Sequence, residues 1–523
     1  MTDALSLGLA MTRHLCATTI LIAFCATALA QESPEQWFAD GQATAAAAKR
    51  LQPIEGPAKN IILFIGDGMG VSTVTAARIL AGQLKGMPGE ENVLSFEKMP
   101  YLALSKTYST NAQTPDSAAT MSAIMTGIKT KSGAISVNQN AVSDDPATIP
   151  GNEATTLLEI AEQRGMATGI VTTTTITHAT PAACYAHAPS RGWETDTALP
   201  DAARAAGFPD IARQLIEFPH GDGIEVVLGG GRSSFLPTNA EDSSQSGLRS
   251  DGRDLTAEWT KKYPDSAYVS DRQALDAIDP TETKHLLGLF NPVHLKFTTD
   301  RSKQDESEPT LAEMTRKAIS MLESHDTGYF LMVEGGRIDH AHHLNNAYRA
   351  LNEAVAFAGA VEVAMNATNE RETLIIVTAD HSHVMTIAGY PKRGNPIFGK
   401  VTYPGEPHED KNERPDKTGK PYTTLSYANG PGNVGASDAQ PAGAKTFQHG
   451  PSEYQDIATG RPDLSTIDTE SESYLQETAI PLSYETHGGE DVAIYAQGPR
   501  AHLIHGVLEQ NVLFHIMLAA IEP

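Results

Sequence analysis

Six short apolar runs, rich in β-branched residues, constrain the fold of this chain more than any other feature. They cover residues 61–65, 167–171, 224–228, 329–333, 373–378 and 492–496, and glycine or aspartate closely follows most of them. Stretches with helical periodicity, such as 153–164 and 347–364, lie between the runs. Apolar strands that alternate with helices are typical of a parallel sheet buried on both faces. The sequence therefore predicts an α/β fold with a mostly parallel central sheet and helices on both faces.

The composition changes over residues 389–477, which are rich in Gly, Pro, Asn, Asp and Lys and lack strong periodicity. A disordered linker is one interpretation of such a stretch. Sequence typical of a protein core resumes directly after it, which favours a folded, loop-rich insertion. We therefore predict an inserted subdomain at 389–477 within a catalytic domain made of residues 31–388 and 478–523.

The first thirty residues have the pattern of a signal peptide. Arg13 and His14 precede an apolar run over residues 15–29, and Ala28 and Ala30 match the small-residue pattern of a cleavage site. We predict cleavage after Ala30 and export to the periplasm or the medium. The chain ends without a long apolar tail, so we expect no membrane anchor.

Charge and cysteine content exclude some partners and one source of stability. The formal net charge is -25, which argues against nucleic acid because binding it requires a basic surface. Of the three cysteines, only Cys184 would remain in the mature protein, so no internal disulfide can form. We expect core packing, metal binding or subunit contacts to provide the stability.

Polar residues at the ends of the predicted strands are the candidates for chemistry, because ligands of open α/β sheets collect beyond the carboxyl ends of the strands. Asp67 follows the first run, Glu334 ends the fourth, and Asp380 and His381 follow the fifth. A single aspartate at a strand end is more often a cap or a turn former. Several such residues together indicate a shared site.

A serine follows a predicted helix cap in the segment TPDSAAT. Asp116 can cap the helix, which places Ser117 in its first turn, near unsatisfied backbone N–H groups and the positive end of the helix dipole. That environment favours a phosphate or a developing alkoxide. A simple Asp–Ser capping pair has the same local sequence and remains the alternative.

Three histidines and two acids within residues 334–343 predict metal binding. Asp339 and His343 are four residues apart, so on a helix they share one face and can bind one ion. His487, in the later segment ETHGGED, is a weak candidate by itself. Mixed histidine and carboxylate sets suit zinc, whereas an oxygen-only set suits magnesium. Two close metals and a hydroxyl nucleophile suit phosphoryl transfer.

These segments resemble the alkaline phosphatase family. The matching blocks are KNIILFIGDGMG, TPDSAATMSA, VTTTTITHATPAACYAHAPSR, MVEGGRIDHAHH, VTADHSH and ETHGGEDVAIYAQGP. The resemblance extends from about residue 34 to the C-terminus and is strongest to the animal-type branch, whose crown insertion matches residues 389–477. It implies hydrolysis of phosphate monoesters through a phosphoserine intermediate at alkaline pH, by a homodimer with two zinc ions and one magnesium ion per subunit.

The resemblance also implies a role for each matching residue. The first zinc would bind Asp339, His343 and His487; the second zinc would bind Asp67, Asp380 and His381; and magnesium would bind Asp67, Thr180 and Glu334. Ser117 would be the nucleophile and Arg191 would bind two phosphate oxygens. His178, His340 and His383 would be accessory residues near the metals.

Two kinds of alternative function stay open from the sequence. One is another enzyme of the same superfamily, such as a phosphodiesterase, a sulfatase or a phosphonate hydrolase. The other is a zinc-bearing surface protein without catalytic activity. The chain also has Asn291 where the animal branch has an acidic ligand of a fourth, calcium-like ion, so we do not predict that ion.

Overall fold

The structure is a computed structural model that describes residues 33–238, 247–301, 307–404, 413, 415–416, 419–432, 445–446 and 461–522. The predicted signal peptide lies outside the described residues. The described part of the chain before Gln52 forms a unit of its own, a helix at Pro34–Ala48 that Ser33 caps by accepting the N–H of Gln36. Residues from Gln52 onward form the second, compact unit.

The described residues form the following regular elements. The strands are β1 Asn60–Ile65, β2 Tyr101–Lys106, β3 Ala167–Thr175, β4 Val226–Gly230, β5 Ser266–Val269, β6 His285–Leu289, β7 Tyr329–Glu334, β8 Thr373–Thr378, β9 Ser382–His383, β10 Met385–Ile387, β11 Leu425–Gly430, β12 Lys445–Thr446, β13 Tyr474–Leu475, β14 Thr478–Pro481, β15 His487–Gly488, β16 Val492–Gln497 and β17 Gly506–Glu509. The α-helices are α1 Pro34–Ala48, α2 Val71–Gln83, α3 Ser117–Thr126, α4 Leu157–Gln163, α5 Ala179–Ala182, α6 Asp201–Ala205, α7 Ile211–Ile216, α8 Leu255–Lys262, α9 Arg272–Ala277, α10 Leu311–Leu322, α11 Arg337–His343, α12 Ala347–Ala367 and α13 Val512–Ala520.

A ten-stranded sheet is the centre of the second unit, with the order β17-β2-β16-β8-β1-β7-β3-β4-β6-β5. Strand β16 is antiparallel to both of its neighbours, and the other pairs are parallel. The predicted α/β fold with a mostly parallel sheet is therefore confirmed. All six apolar runs correspond to strands, but the run at 492–496 is the antiparallel strand, and a further strand, β17, follows it.

Both faces of the sheet are buried, which explains why its central strands are continuously apolar. Ile61, Leu63 and Ile65 of β1 pack into one cluster with residues of α3, α4, α7 and α13. The alternate residues Ile62 and Phe64 pack into a second cluster with residues of α2, α10 and α12. Because successive side chains point to opposite faces of a strand, two helix layers require apolar residues at every position.

The register of the three central strands brings their polar ends together. Ile65 of β1 is paired with Glu334 of β7 and with Thr378 of β8. The residues just beyond these positions therefore emerge at one edge of the sheet. Asp67, Glu334 and Asp380 lie at this edge and are fully buried.

A smaller sheet includes part of the segment in which the composition changes. Strand β11 pairs antiparallel with β10 and parallel with β14. Asn345, between α11 and α12, binds this region through its side chain, which donates to the carbonyl of Asn429 and accepts the N–H of Gly432. In the described part of the chain, none of the helices has the length and apolar character that crossing a membrane requires.

A buried arginine joins three segments on one side of the sheet. The side chain of Arg249 is 0% exposed, and its guanidinium binds both oxygens of Asp210 at 3.1 and 2.9 Å and both oxygens of Asp251 at 3.1 and 2.5 Å. It also donates to the carbonyl of Ser234. Since Asp210 caps α7, this contact connects the start of that helix to the loop that contains Arg249.

We predict that Arg249→Ala strongly destabilises the protein. The substitution leaves the carboxylate of Asp210 buried without its partner, and breaking a buried pair in this way costs about 3–5 kcal/mol. Chemical denaturation of the metal-loaded protein measures the loss. Arg204→Ala is the matched control, because its partner Asp201 is fully exposed, and a similar loss in both variants would contradict this role of Arg249.

Candidate metal centre and nucleophile

The predicted nucleophile, Ser117, begins helix α3 inside a buried cleft. The side chain of Asp116 caps the helix by accepting the N–H of Ala119, as the sequence predicted. Ser117 is 2% exposed, and its Oγ lies 3.1 Å from Nε2 of His381 and 3.4 Å from Oδ1 of Asp67. The hydroxyl is therefore close to two predicted metal ligands and to the positive end of a helix dipole.

The ligands predicted for the second zinc, Asp67, Asp380 and His381, converge at this point. Nε2 of His381 is 3.3 Å from Oδ1 of Asp67 and 3.3 Å from Oδ2 of Asp380. Two ligand atoms that bind one zinc at about 2.0–2.1 Å, at the tetrahedral angle, lie about 3.3 Å apart. The separations therefore fit a shared tetrahedral ion.

The ligands predicted for the first zinc have the same spacing. Oδ1 of Asp339 is 3.3 Å from Nε2 of His343 and 3.3 Å from Nε2 of His487. The two Nε2 atoms are 3.2 Å apart. Asp339 and His343 lie on one face of α11, as their spacing predicted, whereas His487 lies in β15, far along the chain.

The outer nitrogens of these histidines show which ring atoms are available to a metal. Nδ1 of His343 lies 2.6 Å from the carbonyl of Glu485, and Nδ1 of His487 lies 2.7 Å from the carbonyl of Pro115. A carbonyl only accepts hydrogen bonds, so both Nδ1 atoms carry the hydrogen. In the neutral rings, the lone pairs of both Nε2 atoms then face each other, and a cation between them removes this repulsion.

The oxygen set predicted for magnesium has buried atoms without partners. Oδ2 of Asp67, Oγ1 of Thr180 and Oε1 of Glu334 are buried and have no hydrogen-bond partner of normal geometry among the described residues, although the Thr180 hydroxyl lies near enough to Glu334 to help lower its pKa. The other oxygen of Glu334 accepts the hydroxyls of Thr172 and Thr174. Buried polar atoms are normally satisfied, and a magnesium ion binds oxygen ligands of this kind. These residues therefore fit a hard cation.

Burial and crowding oppose the ionisation of these carboxylates. Burial is the main reason that the pKa of Asp67 is raised well above its ordinary value, and repulsion from Asp380 and Asp339 adds to it. Burial also raises the pKa of Glu334 to about 7. Bound cations reverse such shifts, because their charge stabilises the ionised carboxylates.

Arg191 lies between Asp116, the residue before the predicted nucleophile, and a histidine. Its Nη1 donates to Oδ2 of Asp116 at 3.1 Å, and its Nη2 donates to Nε2 of His178 at 2.9 Å. A guanidinium only donates, so Nε2 of neutral His178 accepts and its hydrogen lies on Nδ1. That Nδ1 is buried, 4.0 Å from Oε1 of Glu334. His178 in this tautomer supports Arg191, and its accessory role stays a prediction.

His340 belongs to a cluster of three histidines beside the oxygen set. Its Nδ1 accepts from Arg337 at 2.8 Å, and its ring centroid is 5.5 Å from that of His178 and 4.4 Å from that of His294. Nδ1 of His294 in turn accepts the N–H of Thr175. His294 was not predicted from the sequence, because it lies in a loop outside the recognisable blocks.

The structure brings all the predicted ligands, Ser117 and Arg191 close together at one edge of the sheet, and their individual roles stay predictions. Sequence reasoning assigned no role to Glu485, which binds His383, and did not foresee the contact of Asp116 with Arg191. The one feature of the sequence that could have identified Glu485 is its position two residues before the predicted ligand His487.

Burial by itself would lower the pKa of His383, but the carboxylates of Glu485 and Asp339 raise it to about 10.

Comparison with known proteins agrees with this geometry. A family model described as alkaline phosphatase matches residues 58–522. The chain belongs to the alkaline phosphatase family. It is 44% identical over 516 residues to the tissue-nonspecific alkaline phosphatase of Gallus gallus, with 96% of this chain and 92% of the relative covered. It is 43% identical over 500 residues to the alkaline phosphatase of Gadus morhua, with 94% of this chain and 97% of the relative covered.

Solved bacterial structures share the fold of this alkaline phosphatase. The Thermus thermophilus alkaline phosphatase has a TM-score of 0.61 at 24% identity, over 92% of this chain and 95% of that one. A cold-active alkaline phosphatase from a psychrophilic Shewanella has a TM-score of 0.57 at 24% identity, over 89% of this chain and 100% of that one. The predicted family and its animal-type branch are confirmed. The chain is a metal-dependent hydrolase of phosphate monoesters, which excludes the silent surface protein.

We predict that metals, and not disulfides, stabilise this alkaline phosphatase. Cys184 is the one free cysteine of the described residues and is buried, so a thiol reductant should leave the melting temperature unchanged. A strong chelator should lower it and abolish activity, because ions that bind only the folded state stabilise it by about 4 kcal/mol at a thousandfold excess over Kd.

A thermal melt and an activity assay on the same sample test this prediction. Zinc together with magnesium should restore activity better than either ion alone, because the histidine sets and the oxygen set prefer different ions. A protein that elemental analysis shows to be metal-free, yet retains full activity, would refute the metal assignment.

Proposed function

We propose that this alkaline phosphatase transfers the phosphoryl group of a phosphate monoester to Ser117 and then to water. The observation that carries the proposal is the position of the Ser117 hydroxyl, which begins a helix and lies 3.1 Å from His381 and 3.4 Å from Asp67. A serine that only capped a helix would have no reason to lie among metal-ligand atoms.

Three ions complete the proposed site. Asp339, His343 and His487 hold one zinc; Asp67, Asp380 and His381 hold the second; and Asp67, Thr180 and Glu334 hold magnesium. The atom separations and the unpartnered oxygens described above support this arrangement. When bound, the ions supply positive charge that favours ionised hydroxyls and stabilises charge on phosphate and leaving-group oxygens.

In the proposed reaction, Ser117 loses its hydroxyl proton and its Oγ attacks phosphorus. The bond between Oγ and phosphorus forms as the bond from phosphorus to the leaving oxygen breaks. The proton from Ser117 passes to solvent water, and the leaving oxygen takes up one proton from solvent, so that an alcohol is released. A water molecule then attacks the phosphoserine, restores Ser117 and releases inorganic phosphate. The N-terminal N–H groups of α3 favour negative charge on Oγ and on the bound phosphate.

Arg191 binds the phosphate in this proposal. Asp116 and His178 occupy one donor on each of its terminal nitrogens, which fixes the plane of the guanidinium. A guanidinium has five N–H donors, so donors remain for two phosphate oxygens. His340 acts indirectly, through its packing against His178.

Other parts of the proposal concern the protein as a whole. We propose that it is exported, that it acts as a homodimer on small phosphate monoesters without binding nucleic acid, and that residues 389–477, part of which lies outside the described residues, form a crown-like subdomain. The signal-peptide pattern of residues 1–30 supports export, and the acidic net charge of -25 opposes nucleic-acid binding. The homodimer and the crown follow from the resemblance to animal relatives.

Turnover by the purified, metal-loaded protein tests the proposed substrate class. An aryl phosphate should be hydrolysed much faster than an aryl phosphodiester or an aryl sulfate. A preference for the diester or the sulfate would instead favour a phosphodiesterase or a sulfatase.

We predict that Ser117→Ala removes the phosphoenzyme and lowers kcat by several orders of magnitude, with some remaining activity because water can still attack the bound substrate. Labelled phosphate trapped at acid pH measures the intermediate. Ser122→Ala is a matched control on the same helix, because the Ser122 hydroxyl binds the carbonyl of Ala134 outside the cleft, and it should retain the label. Labelled phosphate recovered on another residue in Ser117→Ala would disprove the assignment.

We predict that Arg191→Ala lowers kcat/KM for a phosphate monoester more than for a diester. Two charged hydrogen bonds are lost with the monoester, at about 1.5–3 kcal/mol each, which corresponds to roughly 10²- to 10⁴-fold. A diester has fewer unesterified oxygens for the guanidinium to bind, so its kcat/KM should fall less. Equal losses on an aryl monoester and an aryl diester would contradict a bidentate contact.

A further inference from the structure

Glu485 contacts residues of the proposed first-zinc site, although it is not one of the proposed ligands. Its side chain is 1% exposed, and it lies two residues before the ligand His487. Burying a carboxylate lowers the stability of the folded protein unless the carboxylate is hydrogen-bonded. The hydrogen bonds of Glu485 therefore explain how this position can be a buried acid.

The main chain of Glu485 contacts the ligand His343 in both directions. Its N–H donates to the carbonyl of His343 at 3.0 Å, and its carbonyl accepts Nδ1–H of the His343 ring at 2.6 Å. This pair of bonds fixes the orientation of the ring, so that its Nε2 points toward Asp339 and His487. Any residue other than proline at position 485 can retain these main-chain bonds.

The side chain of Glu485 reaches a second ligand through His383. Oε2 of Glu485 lies 2.5 Å from Nδ1 of His383, and Nε2 of the same ring lies 2.7 Å from Oδ1 of Asp339. The other oxygen of Glu485 accepts the N–H of Val384 at 2.8 Å, which holds the carboxylate in place. A continuous hydrogen-bonded chain thus runs from Glu485 through His383 to Asp339.

The His383 ring has little freedom to rotate unless it loses these bonds. It lies so close to Gly68 that a Cβ at that position would be 2.3 Å from its Cδ2. Its other face stacks on the ring of His342, with centroids 4.8 Å apart, and His342 is itself bonded to Thr73 and Tyr427. The contact with Glu485 adds a further restraint, because it holds the torsion about the Cβ–Cγ bond that determines where Nδ1 and Nε2 of the ring point.

The chain ends on the oxygen of Asp339 that faces both ligand histidines. The last torsion of an aspartate side chain is broad, so a carboxylate without a second contact can rotate away from a metal. A hydrogen bond from His383 to Oδ1 occupies one lone pair and leaves the other directed toward His343 and His487. Partners of this kind typically change metal affinity 10–100-fold.

We propose that Glu485 is a positioning residue for the first-zinc site, which it supports through His383 and Asp339. The inference rests on the proposed function, because it takes Asp339, His343 and His487 as the ligands of that ion. It assigns Glu485 a role in retaining zinc at this site, and no role at the second site.

Zinc release tests the inference. The wild type, Glu485→Gln and Glu485→Asp are loaded with zinc and magnesium, freed of excess metal and mixed with a chromophoric zinc chelator. We expect one zinc per subunit to leave roughly 10–100 times faster in Glu485→Gln, with the other zinc released as in the wild type. Glu485→Asp retains the charge but is one methylene shorter, and it should also release one zinc faster.

Glu490→Gln is the matched control, since it removes the same charge from an exposed residue that follows β15, three residues after His487. It should release zinc as the wild type does. Unchanged release in Glu485→Asp or in a folded Glu485→Gln would overturn the proposal, as would faster release of both ions. A wild type that binds no zinc tightly would instead refute the proposed function, so the two failures are distinguishable.

A double-mutant cycle tests the route through His383. If Glu485 acts through this ring, His383→Gln should accelerate zinc release, and adding Glu485→Gln should accelerate it little further. Additive effects of the two substitutions would show that Glu485 acts elsewhere and would overturn the proposed chain. Circular dichroism of each loaded variant verifies that it is folded.

Discussion

The repulsion among buried carboxylates at one edge of the sheet is the constraint on which the rest of this structure depends. Asp339 is nearly fully buried, but His343 and His383 outweigh its burial and hold its pKa well below its ordinary value. Asp67, Glu334 and Asp380 are fully buried, and burial, with repulsion from neighbouring carboxylates, raises the pKa of each. A protein that buries such charges without compensation is unstable, and the usual outcome is a shift toward the neutral acid. Divalent cations can compensate the buried negative charge of these carboxylates. The same positive charge can also stabilise a bound phosphate and its leaving group, which is what catalysis requires.

The sheet brings these residues together because of its register. Strands β1, β7 and β8 are adjacent and parallel, so their carboxyl ends lie at one edge, and the loops that follow carry the acids. Their apolar side chains are buried on both faces, which fixes the strands relative to one another. The rigid core therefore determines the distances between the proposed ligand atoms. Helix α11, which follows β7, supplies the pair Asp339 and His343, whereas Ser117 begins α3, which follows β2.

Local spacing made part of this site predictable, and long-range contacts made the rest unpredictable. The helical spacing of Asp339 and His343 and the capping of α3 by Asp116 were visible in the sequence, because both depend on a few neighbouring residues. The apolar runs predicted the strands, but the antiparallel direction of β16 depends on the path of the chain across the sheet. The contact of Glu485 with His383 joins residues 102 positions apart, and that of His294 with Thr175 joins residues 119 apart, so neither leaves a local pattern.

Asp116 shows how one side chain can couple two functions. Its Oδ1 accepts the N–H of Ala119, which fixes the start of the nucleophile helix, and also the N–H of Gly133 at 3.0 Å. Its Oδ2 accepts from Nη1 of Arg191 at 3.1 Å. The position of Ser117 and the orientation of the guanidinium proposed to bind phosphate are therefore set by the same carboxylate. In the proposed reaction, a small displacement of either group misaligns the attack on phosphorus. Because one carboxylate holds both groups, their relative position varies less than it would if two separate residues held them.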